Sequence, residues 1–432
     1  MLWVVLGSSL LGFAAFGAAL GATMGLSGFI ILQFFANGAT HLGISAAWDL
    51  MNNFTFSAIP MFLLLGDLLV ASGLSSRIYA GISPLFERVP GQLLHANIAV
   101  STIFGAISGS SAATSAAVGS IAYPELAKRG YYLPSVAASL AAGGTLGLLV
   151  PPSLSLLIYG AWQDVSIGRL FLAGVVPGLM MAGLFMVYIW IDSRRRPQNL
   201  PPPAARQPLG KVLRGLLSLW PLAILLGSVL GTIYAGLATV TEAAGLGVLA
   251  TVLMGLFIGD LTPRKLFRAT VESTVSFAAL AFILIGAAVL SQSITILGVP
   301  AELVAYANKL ALSKYEVLAA VIFFYLIMGI FFDGISLMLT TVPFIFPVMT
   351  AVGFDPVWLG VFVAIMIEIG MLTPPVGVNL FIMLAIARGR ITMKELGREC
   401  LPYWIMLLIG TALMTVFPMI SLYLPNLVFG VK

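Results

Sequence analysis

Residues 146–160 read LGLLVPPSLSLLIYG, and residues 369–383 read IGMLTPPVGVNLFIM. Both are apolar runs interrupted by a proline pair, and they align at a constant offset that places Pro374 against Pro151. Two adjacent prolines remove two backbone N–H donors and disfavour helix at the preceding residue. Each run is therefore predicted to be a helix broken near its middle, and two such helices in one chain indicate an internal repeat.

The segments that precede the two breaks also correspond. The motif GAISG (Gly105–Gly109) precedes the first break, and GIFFDG (Gly329–Gly334) precedes the second. Each half reads as a helix, an apolar run that turns back at a glycine, a broken helix and a further helix. Chance similarity between apolar segments is the alternative, but proline pairs at matched positions after matched turns argue against it.

The composition predicts that most of the chain lies in a membrane. Of 432 residues, 60% are hydrophobic and 9% are charged, and the mean hydropathy is +1.07. Soluble domains carry about 25% charged residues. The single cysteine, Cys400, excludes a disulfide-built secreted scaffold. Basic residues stand in short clusters between apolar runs, which is typical of topology signals rather than of nucleic-acid binding.

Most of the apolar runs are long enough for a transmembrane helix, which needs roughly 20 residues. Nine stretches qualify, namely 2–35, 54–74, 134–162, 169–192, 214–235, 237–258, 275–297, 356–388 and 399–424. Two others, 93–127 and 316–352, are too long for one straight crossing and too short for two. Because basic residues flank the first of these at both ends, we predict a re-entrant hairpin there. We predict a second hairpin at 316–352, entering from the opposite face.

The distribution of charge predicts the orientation. With a cytoplasmic N-terminus, 17 of the 21 Lys and Arg residues fall on the cytoplasmic side, which is a strong positive-inside bias. We therefore expect an all-α polytopic membrane protein of two inverted repeats, a common build of secondary transporters. The repeats are residues 1–191, with hairpin 93–127 and broken helix 134–162, and residues 214–432, with hairpin 316–352 and broken helix 356–388. The proline-rich, basic segment 192–213 is the expected cytoplasmic linker.

The breaks and hairpin turns are the predicted binding regions. A broken helix leaves carbonyl oxygens without N–H partners, and each costs several kcal/mol in lipid. A bound cation can replace those partners, and the N-terminus of the next half-helix suits a carboxylate. The alternative is a kink satisfied by Ser or Thr side chains. The first hairpin turn, residues 108–115, is rich in hydroxyls that suit a hard cation, although small residues also favour close helix packing.

Acidic residues inside the membrane indicate function by default. Asp333 stands at the second hairpin turn beside Gly334 and Ser336, and it is the strongest candidate for a cation ligand or for protonation. The alternative is that Asp333 caps the following helix. No Lys or Arg remains within the predicted membrane segments, so the charge of an anionic substrate would be met by helix N-termini and a co-transported cation.

Three other intramembrane acids are weaker candidates. Glu368 lies five residues before Thr373 and is the second candidate for a cation ligand after Asp333. Asp67 is equally compatible with a site and with buried pairing. Glu242 follows Thr239 at the spacing of a capping box, so we expect it to begin a helix.

The motifs SGSSAATSAAVGS, YPELAKRGY, LLVPPS, TEAAGLG, FFDGISLML and GMLTPPVG occur in this order over almost the whole chain. In this the chain resembles the large membrane subunit of tripartite ATP-independent periplasmic (TRAP) transporters, and it is similar to the wider ion-transporter superfamily with paired hairpins and an elevator motion. Val240 departs from the usual proline of TPTEAA. The resemblance implies sodium-driven uptake of organic acids, usually carboxylates, across a bacterial inner membrane. It implies no enzymatic activity, no cofactor, and sodium as the coupling ion.

The resemblance also implies partners and binding residues. The partners are a periplasmic substrate-binding protein and a small four-helix membrane subunit, expected as a separate chain. The expected cation ligands are Ser108, Gly109, Ser110, Ser111, Val150 and Pro151 at one site, and Asp333, Gly334, Gly370, Thr373 and Pro374 at the other. The expected substrate-binding residues are Ser111, Thr114, Pro152, Ser153, Ser336 and Pro375.

Three other kinds of protein compete with this interpretation. A stand-alone sodium/carboxylate symporter of related fold explains the repeats equally well, and only the family motifs argue against it. An intramembrane hydrolase would need Asp67 and Asp333 as a dyad, but Asp67 stands in LLGD rather than in a GxGD pattern. A purely structural subunit does not explain matched breaks and buried acids.

Overall fold

The fold is all-α. The computed structural model describes residues 2–15, 17–202 and 208–430, and these form helices and turns without a strand. Seven helical segments of this part are long and apolar enough to cross a membrane: Phe54–Ala71, Ile167–Arg195, Gly215–Tyr234, Val240–Phe257, Pro263–Ile296, Gly334–Ala351 and Met393–Val416. The prediction of a polytopic helical membrane protein is confirmed.

The helices are numbered along the chain. In the first half they are α1 (Leu2–Ala15), α2 (Leu20–Phe35), α3 (Thr40–Asn52), α4 (Ala58–Ala71), α5 (Leu74–Phe86), α6 (Leu93–Ser108), α7 (Ser111–Lys128), α8 (Leu133–Thr145), α9 (Leu154–Gln163) and α10 (Ile167–Arg195). In the second half they are α11 (Leu209–Leu217), α12 (Trp220–Leu226), α13 (Thr232–Tyr234), α14 (Val240–Phe257), α15 (Pro263–Ile296), α16 (Val299–Lys309), α17 (Lys314–Met328), α18 (Gly334–Ala351), α19 (Pro356–Met371), α20 (Val378–Ala387), α21 (Met393–Val416) and α22 (Met419–Phe429).

Both predicted hairpins are present. Helices α6 and α7 pack on each other and turn at Gly109, whose φ of 62° lies in the left-handed region that favours glycine. Helices α17 and α18 form the second hairpin, with a turn between Met328 and Gly334. The bounds agree with the predicted ranges to within two residues, because the glycine turns and the flanking charges are local signals.

Both predicted helix breaks are present as well. Helix α8 continues through one tighter turn, Leu146–Leu148, and the chain resumes as helix α9 only at Leu154. Helix α19 ends at Met371, and α20 begins at Val378. The intervening bonds Pro151–Pro152 and Pro374–Pro375 are both cis.

The same kind of backbone contact occurs once within each half, at matched positions. A Cβ placed on Gly105 would lie 2.6 Å from the Cα of Gly147, and a Cβ on Gly329 would lie 2.9 Å from the Cα of Gly370. In each half, the first hairpin helix therefore touches the end of the first half-helix backbone to backbone. The inverted orientation of the repeats and their boundaries stay predictions.

This contact predicts a large effect from a single methyl group. Gly105→Ala would place its Cβ inside the backbone of Gly147, and overpacking of this kind costs about 1–3 kcal/mol. Gly183→Ala is the matched control, since Gly183 lies in helix α10 with no atom within 4 Å of an added Cβ. We expect a lower Tm for Gly105→Ala and an unchanged or higher Tm for Gly183→Ala in thermal unfolding of the detergent-solubilised protein. Equal Tm values would show that the contact is not tight.

Several segment bounds differ from the predictions. The stretches 214–235 and 399–424 are each divided among more than one helix. The stretch 2–35 is two helices rather than one, separated around Gly17. The stretch 275–297 is the end of the longer helix α15, which starts at Pro263 because Thr262 caps it and accepts a hydrogen bond from Lys265 N. The predicted linker 192–213 is partly helical at both ends, and its residues 203–207 lie outside the described part.

The predicted start of helix α14 is confirmed in detail. Thr239 Oγ1 accepts from the amide of Glu242, and the Glu242 carboxylate accepts from the amide of Thr239. This reciprocal pair is a capping box. The carboxylate of Glu242 is therefore used to begin a helix.

Close packing joins α10 and α21 to the broken helices. A Cβ on Gly174 of α10 would lie 2.4 Å from the carbonyl oxygen of Leu149. The indole of Trp358 in α19 donates to the carbonyl of Met414 in α21 at 3.1 Å. Glu399 of α21 accepts from Ser135 of α8. We call α6–α10 and α17–α22 the hairpin block.

A second group of helices packs mainly among itself. Helix α15 lies along α2, α3 and α4, and α4 also packs on α14. At the crossing of α2 and α15, a Cβ on Gly286 would lie 2.0 Å from the carbonyl oxygen of Gly21, so the two backbones are in direct contact. We call α2, α3, α4, α14 and α15 the framework.

Candidate functional site

The first hairpin tip rests on the first helix break. The amide of Leu154 donates to the carbonyl of Gly109 at 3.2 Å, and a Cβ on Gly109 would lie 2.8 Å from the carbonyl oxygen of Pro152. A Cβ on Gly147 would lie 3.0 Å from the carbonyl oxygen of Ser110. The structure thus brings together the tip residues and the proline pair that the sequence predicted to share a site.

The hydroxyls of this tip bond mainly to one another. Ser108 Oγ and Thr114 Oγ1 are 2.9 Å apart, and Thr114 Oγ1 donates to the carbonyl of Ser110 at 2.7 Å. Ser110 Oγ caps helix α7 by accepting from the amide of Ala113. Each hydroxyl oxygen has two lone pairs, so these side chains can hold the tip in shape and still present oxygen to a cation.

Serines satisfy one of the carbonyls freed by the first break. The carbonyl oxygen of Leu148 accepts from Ser155 Oγ at 2.7 Å and also from Ser153 Oγ. This is the alternative in which side chains compensate a kink, and it holds for Leu148. No N–H or O–H group of the described residues donates to the carbonyl oxygens of Val150 and Pro151. Those two oxygens are available to a cation.

Asn379, which the sequence analysis missed, ties the second broken helix to the first tip. Its Nδ2 donates to Ser111 Oγ at 2.8 Å and to the carbonyl of Ala141 at 3.0 Å. All three residues are buried. The one available signal was a lone amide in the apolar run after the second proline pair, and its partner lies 268 residues away in the sequence. Ser111 is therefore held by the opposite half of the chain.

At the second tip, Asp333 caps helix α18. Its carboxylate accepts from the amide of Ser336 at 3.3 Å, which is the helix-cap alternative of the sequence analysis. A Cβ on Gly334 would lie 2.3 Å from Ile367 Cγ2 of α19. The tip therefore lies against the last turns of the helix that ends at Met371. In the described part of the chain, no hydrogen bond joins Asp333 to Thr373.

The second break is more open than the first. Pro374 and Pro375 are exposed, whereas Pro151 and Pro152 are buried. Thr373 Oγ1 donates to the carbonyl of Ile369 at 2.7 Å and accepts from the indole of Trp404 at 3.2 Å. One lone pair of the Thr373 hydroxyl is left for a cation.

Two buried polar groups near the second break have no partner. Glu368 is completely buried in α19, and neither carboxylate oxygen accepts or donates a hydrogen bond in the described structure. Ser336 Oγ is likewise buried and unpartnered. Leaving a buried polar group without a hydrogen-bond partner costs free energy.

A cavity of ≈ 530 Å³ reaches the first tip from the side of the framework. One wall is helix α7, from Ala113 to Ser120, and the other includes Asp67 of α4 and Arg268 of α15. Arg268 pairs with Glu272 at 2.7 Å, and no basic side chain of the described residues pairs with Asp67. The cavity separates part of the hairpin block from the framework.

The framework also touches the tip directly. A Cβ on Gly66 of α4 would lie 3.1 Å from the carbonyl oxygen of Ser108 and 3.5 Å from its Cβ. Asp67 follows Gly66 in the same helix. Asp67 thus lies on the cavity beside the point where the framework contacts the first tip.

Two hairpins whose tips lie on two broken helices, in a polytopic helical chain, define the architecture of a secondary transporter. A solved structure shares the fold: that of the Alcanivorax borkumensis YdaH transporter, with a TM-score of 0.67 over 89% of this chain and 90% of that chain, at 16% identity.

The chain belongs to the family described as "Tripartite ATP-independent periplasmic transporter, DctM component", whose model matches residues 8–420. It is 33% identical to the C4-dicarboxylate TRAP transporter large permease protein DctM of Pseudomonas aeruginosa, over 94% of both chains. It is 33% identical to the sialic acid TRAP transporter large permease protein SiaM of Vibrio cholerae, over 88% of both. These relatives are permeases, so the chain is a transport protein rather than an enzyme.

Proposed function

We propose that this chain is the transport subunit of a sodium-coupled system for uptake of an organic carboxylate across the bacterial inner membrane. The substrate class rests on the two relatives above. One is named for C4-dicarboxylates and the other for sialic acid, and both kinds of compound carry a carboxylate. The observation that carries the proposal is the contact of the first hairpin tip with the proline break, because it gathers free carbonyl oxygens, hydroxyls and helix N-termini.

Sodium explains how this region could bind an anion. The segments 105–115, 146–156, 329–337 and 369–379 contain no Lys or Arg. The N-termini of α7 and α9 supply partial positive charge for a carboxylate. Sodium at the carbonyl oxygens of Val150 and Pro151 would supply the rest. If the sodium ions of both sites together carry more charge than the substrate, the membrane potential would drive uptake by about 2.3 kcal/mol per net positive charge per 100 mV.

We further propose that the hairpin block moves against the framework as an elevator. Close packing ties α10 and α21 to the broken helices, so they belong to the moving block. The block and the framework touch at Gly66 and Ser108, and a cavity lies beside that contact. Small residues at the contact let the two helices approach closely, and the cavity leaves space into which the block could move.

The proposal includes two partners and an orientation. A periplasmic binding protein would deliver the substrate, and a small four-helix subunit, as a separate chain, would complete the membrane part. The N-terminus and the linker 192–213 would face the cytoplasm. A stand-alone symporter of related fold is the competing possibility, and it differs by needing no binding protein.

Loss of the hydroxyl of Ser110 at the first tip, or of Thr373 at the second break, should weaken sodium binding. Ser110→Ala and Thr373→Ala each remove one candidate oxygen ligand and little volume, so we expect each to lower the rise in Tm that NaCl gives over KCl. Thr373→Ser keeps the hydroxyl and is the control. Ser110→Ala also removes a cap worth about 1 kcal/mol, which lowers Tm equally in both salts. An undiminished sodium effect in both alanine variants would refute the sodium sites.

A further inference from the structure

A second cavity, of ≈ 660 Å³, lies farther along helix α7 toward its C-terminal end, and Ser120 lines both cavities. It is formed by the second half of α7 and the end of α20. Its lining residues are Ser120, Tyr123, Pro124, Ala385, Ile386, Ala387, Arg388 and Arg390. The proposed transport function uses none of these side chains.

The hydroxyl of Tyr123 is the first sign of a ligand. Tyr123 is 2% exposed, and its hydroxyl has no hydrogen-bond partner. A buried polar group without a partner is energetically unfavourable. Because the ring lines the cavity, a group bound there could accept the hydrogen bond that the protein does not.

Two arginines without counter-ions are the second sign. Arg388 and Arg390 line the same cavity, and neither guanidinium makes an ion pair or hydrogen bond with any described residue. The acids nearest along the chain are engaged elsewhere. Glu125 pairs with Arg129 at 2.9 Å, and Glu395 accepts from the amide of Thr392 at 2.8 Å. The cavity therefore carries two uncompensated positive charges beside a free hydroxyl.

Tight helix packing borders the cavity. A Cβ on Gly119, next to the lining residue Ser120, would lie 3.0 Å from both Ile386 Cδ1 and Met383 Sδ, so α7 and α20 are in close contact there. On α20, Phe381 and Ala385 lie at helical spacing on one face, and Arg388 follows directly after the helix end at Ala387. Phe381 is 53% exposed. An apolar strip thus leads away from the arginines along the outside of the helix.

We propose that this pocket binds the phosphate of an anionic phospholipid headgroup. Guanidinium groups bind phosphate oxygens in pairs, and the Tyr123 hydroxyl would donate to a third oxygen. Basic pockets between membrane helices on the cytoplasmic side bind anionic headgroups, and both arginines lie on the predicted cytoplasmic side. A lipid is favoured over free phosphate because the strip from Arg388 to Phe381 accommodates an acyl chain.

Native mass spectrometry of the full-length protein, titrated with phosphatidylglycerol or phosphatidylcholine, tests the site. We expect one tight phosphatidylglycerol in the wild type, about tenfold weaker binding in the double variant Arg388→Gln/Arg390→Gln, and about threefold weaker binding in Tyr123→Phe. Arg264→Gln is the matched control, since Arg264 is an exposed, predicted cytoplasmic arginine that does not line the pocket. It should bind like the wild type.

Two results would overturn the proposal. One is equal phosphatidylglycerol binding by the wild type and the double variant. The other is binding of inorganic phosphate or succinate by the wild type, lost in the double variant, while phosphatidylglycerol binding stays the same in both. Neither readout requires transport, so failure here would leave the proposed sodium-coupled uptake untouched. If the double arginine variant does not fold, Tyr123→Phe still tests the site, because it keeps the aromatic ring and removes only the hydroxyl.

Discussion

Replacing Asp333 with asparagine is expected to raise the sodium concentration for half-maximal uptake by about tenfold or more. The variant keeps an oxygen that can accept from the amide of Ser336, so helix α18 keeps its cap. It loses the one formal negative charge at the second tip. A tenfold change corresponds to about 1.4 kcal/mol. This is a small part of the Coulomb attraction between a cation and a carboxylate that is removed from water.

A second capped helix provides the control. Asp355 caps α19 by accepting from the amides of Val357 and Trp358, and it lies at the opposite end of that helix from the break. Asp355→Asn should leave the sodium dependence unchanged. If a well-expressed Asp333→Asn protein also shows the sodium dependence of the wild type, Asp333 is only a helix cap.

A disulfide between the framework and the first tip is expected to abolish more than nine-tenths of transport. An added Cβ on Gly66 lies 3.5 Å from the Cβ of Ser108, within the range of about 3.5–4.5 Å found across disulfides. The pair Gly66→Cys/Ser108→Cys in a Cys400→Ser background should therefore crosslink on oxidation. An elevator cannot complete its cycle with the block tied to the framework.

The comparison is made within one protein, before and after reduction. Ser108 is itself a candidate ligand, so the reduced double variant, rather than the wild type, is the reference for activity. Transport should return on adding a reductant. Undiminished transport by fully crosslinked protein would contradict the elevator motion.

Local signals predicted the parts of the fold that matter for the site. The first hairpin turn and the breaks follow from Gly109 and the proline pairs, whose backbone effects do not depend on distant residues. The capping box at Thr239 and the cap at Asp333 also depend on spacing within a few residues. For the same reason the sequence could state both roles of Asp333 without deciding between them.

Contacts between distant segments could not be predicted in this way. Nothing near Asn379 in the sequence indicates that it binds Ser111, because the contact depends on how α20 packs against the first hairpin. The assignment of α10 to the hairpin block depends on Gly174 meeting the carbonyl of Leu149. The extended start of α15 was missed because its first turns carry charge, which hides a helix from a search for apolar runs.

The most direct test of the central claim is uptake by proteoliposomes that hold this chain with its small membrane subunit. The substrate is the carboxylate bound by the partner binding protein. We predict accumulation only when that protein and an inward sodium gradient are both present, and more with an interior-negative potential. Equal accumulation with potassium replacing sodium would contradict sodium coupling, and equal accumulation without the binding protein would identify a stand-alone symporter instead.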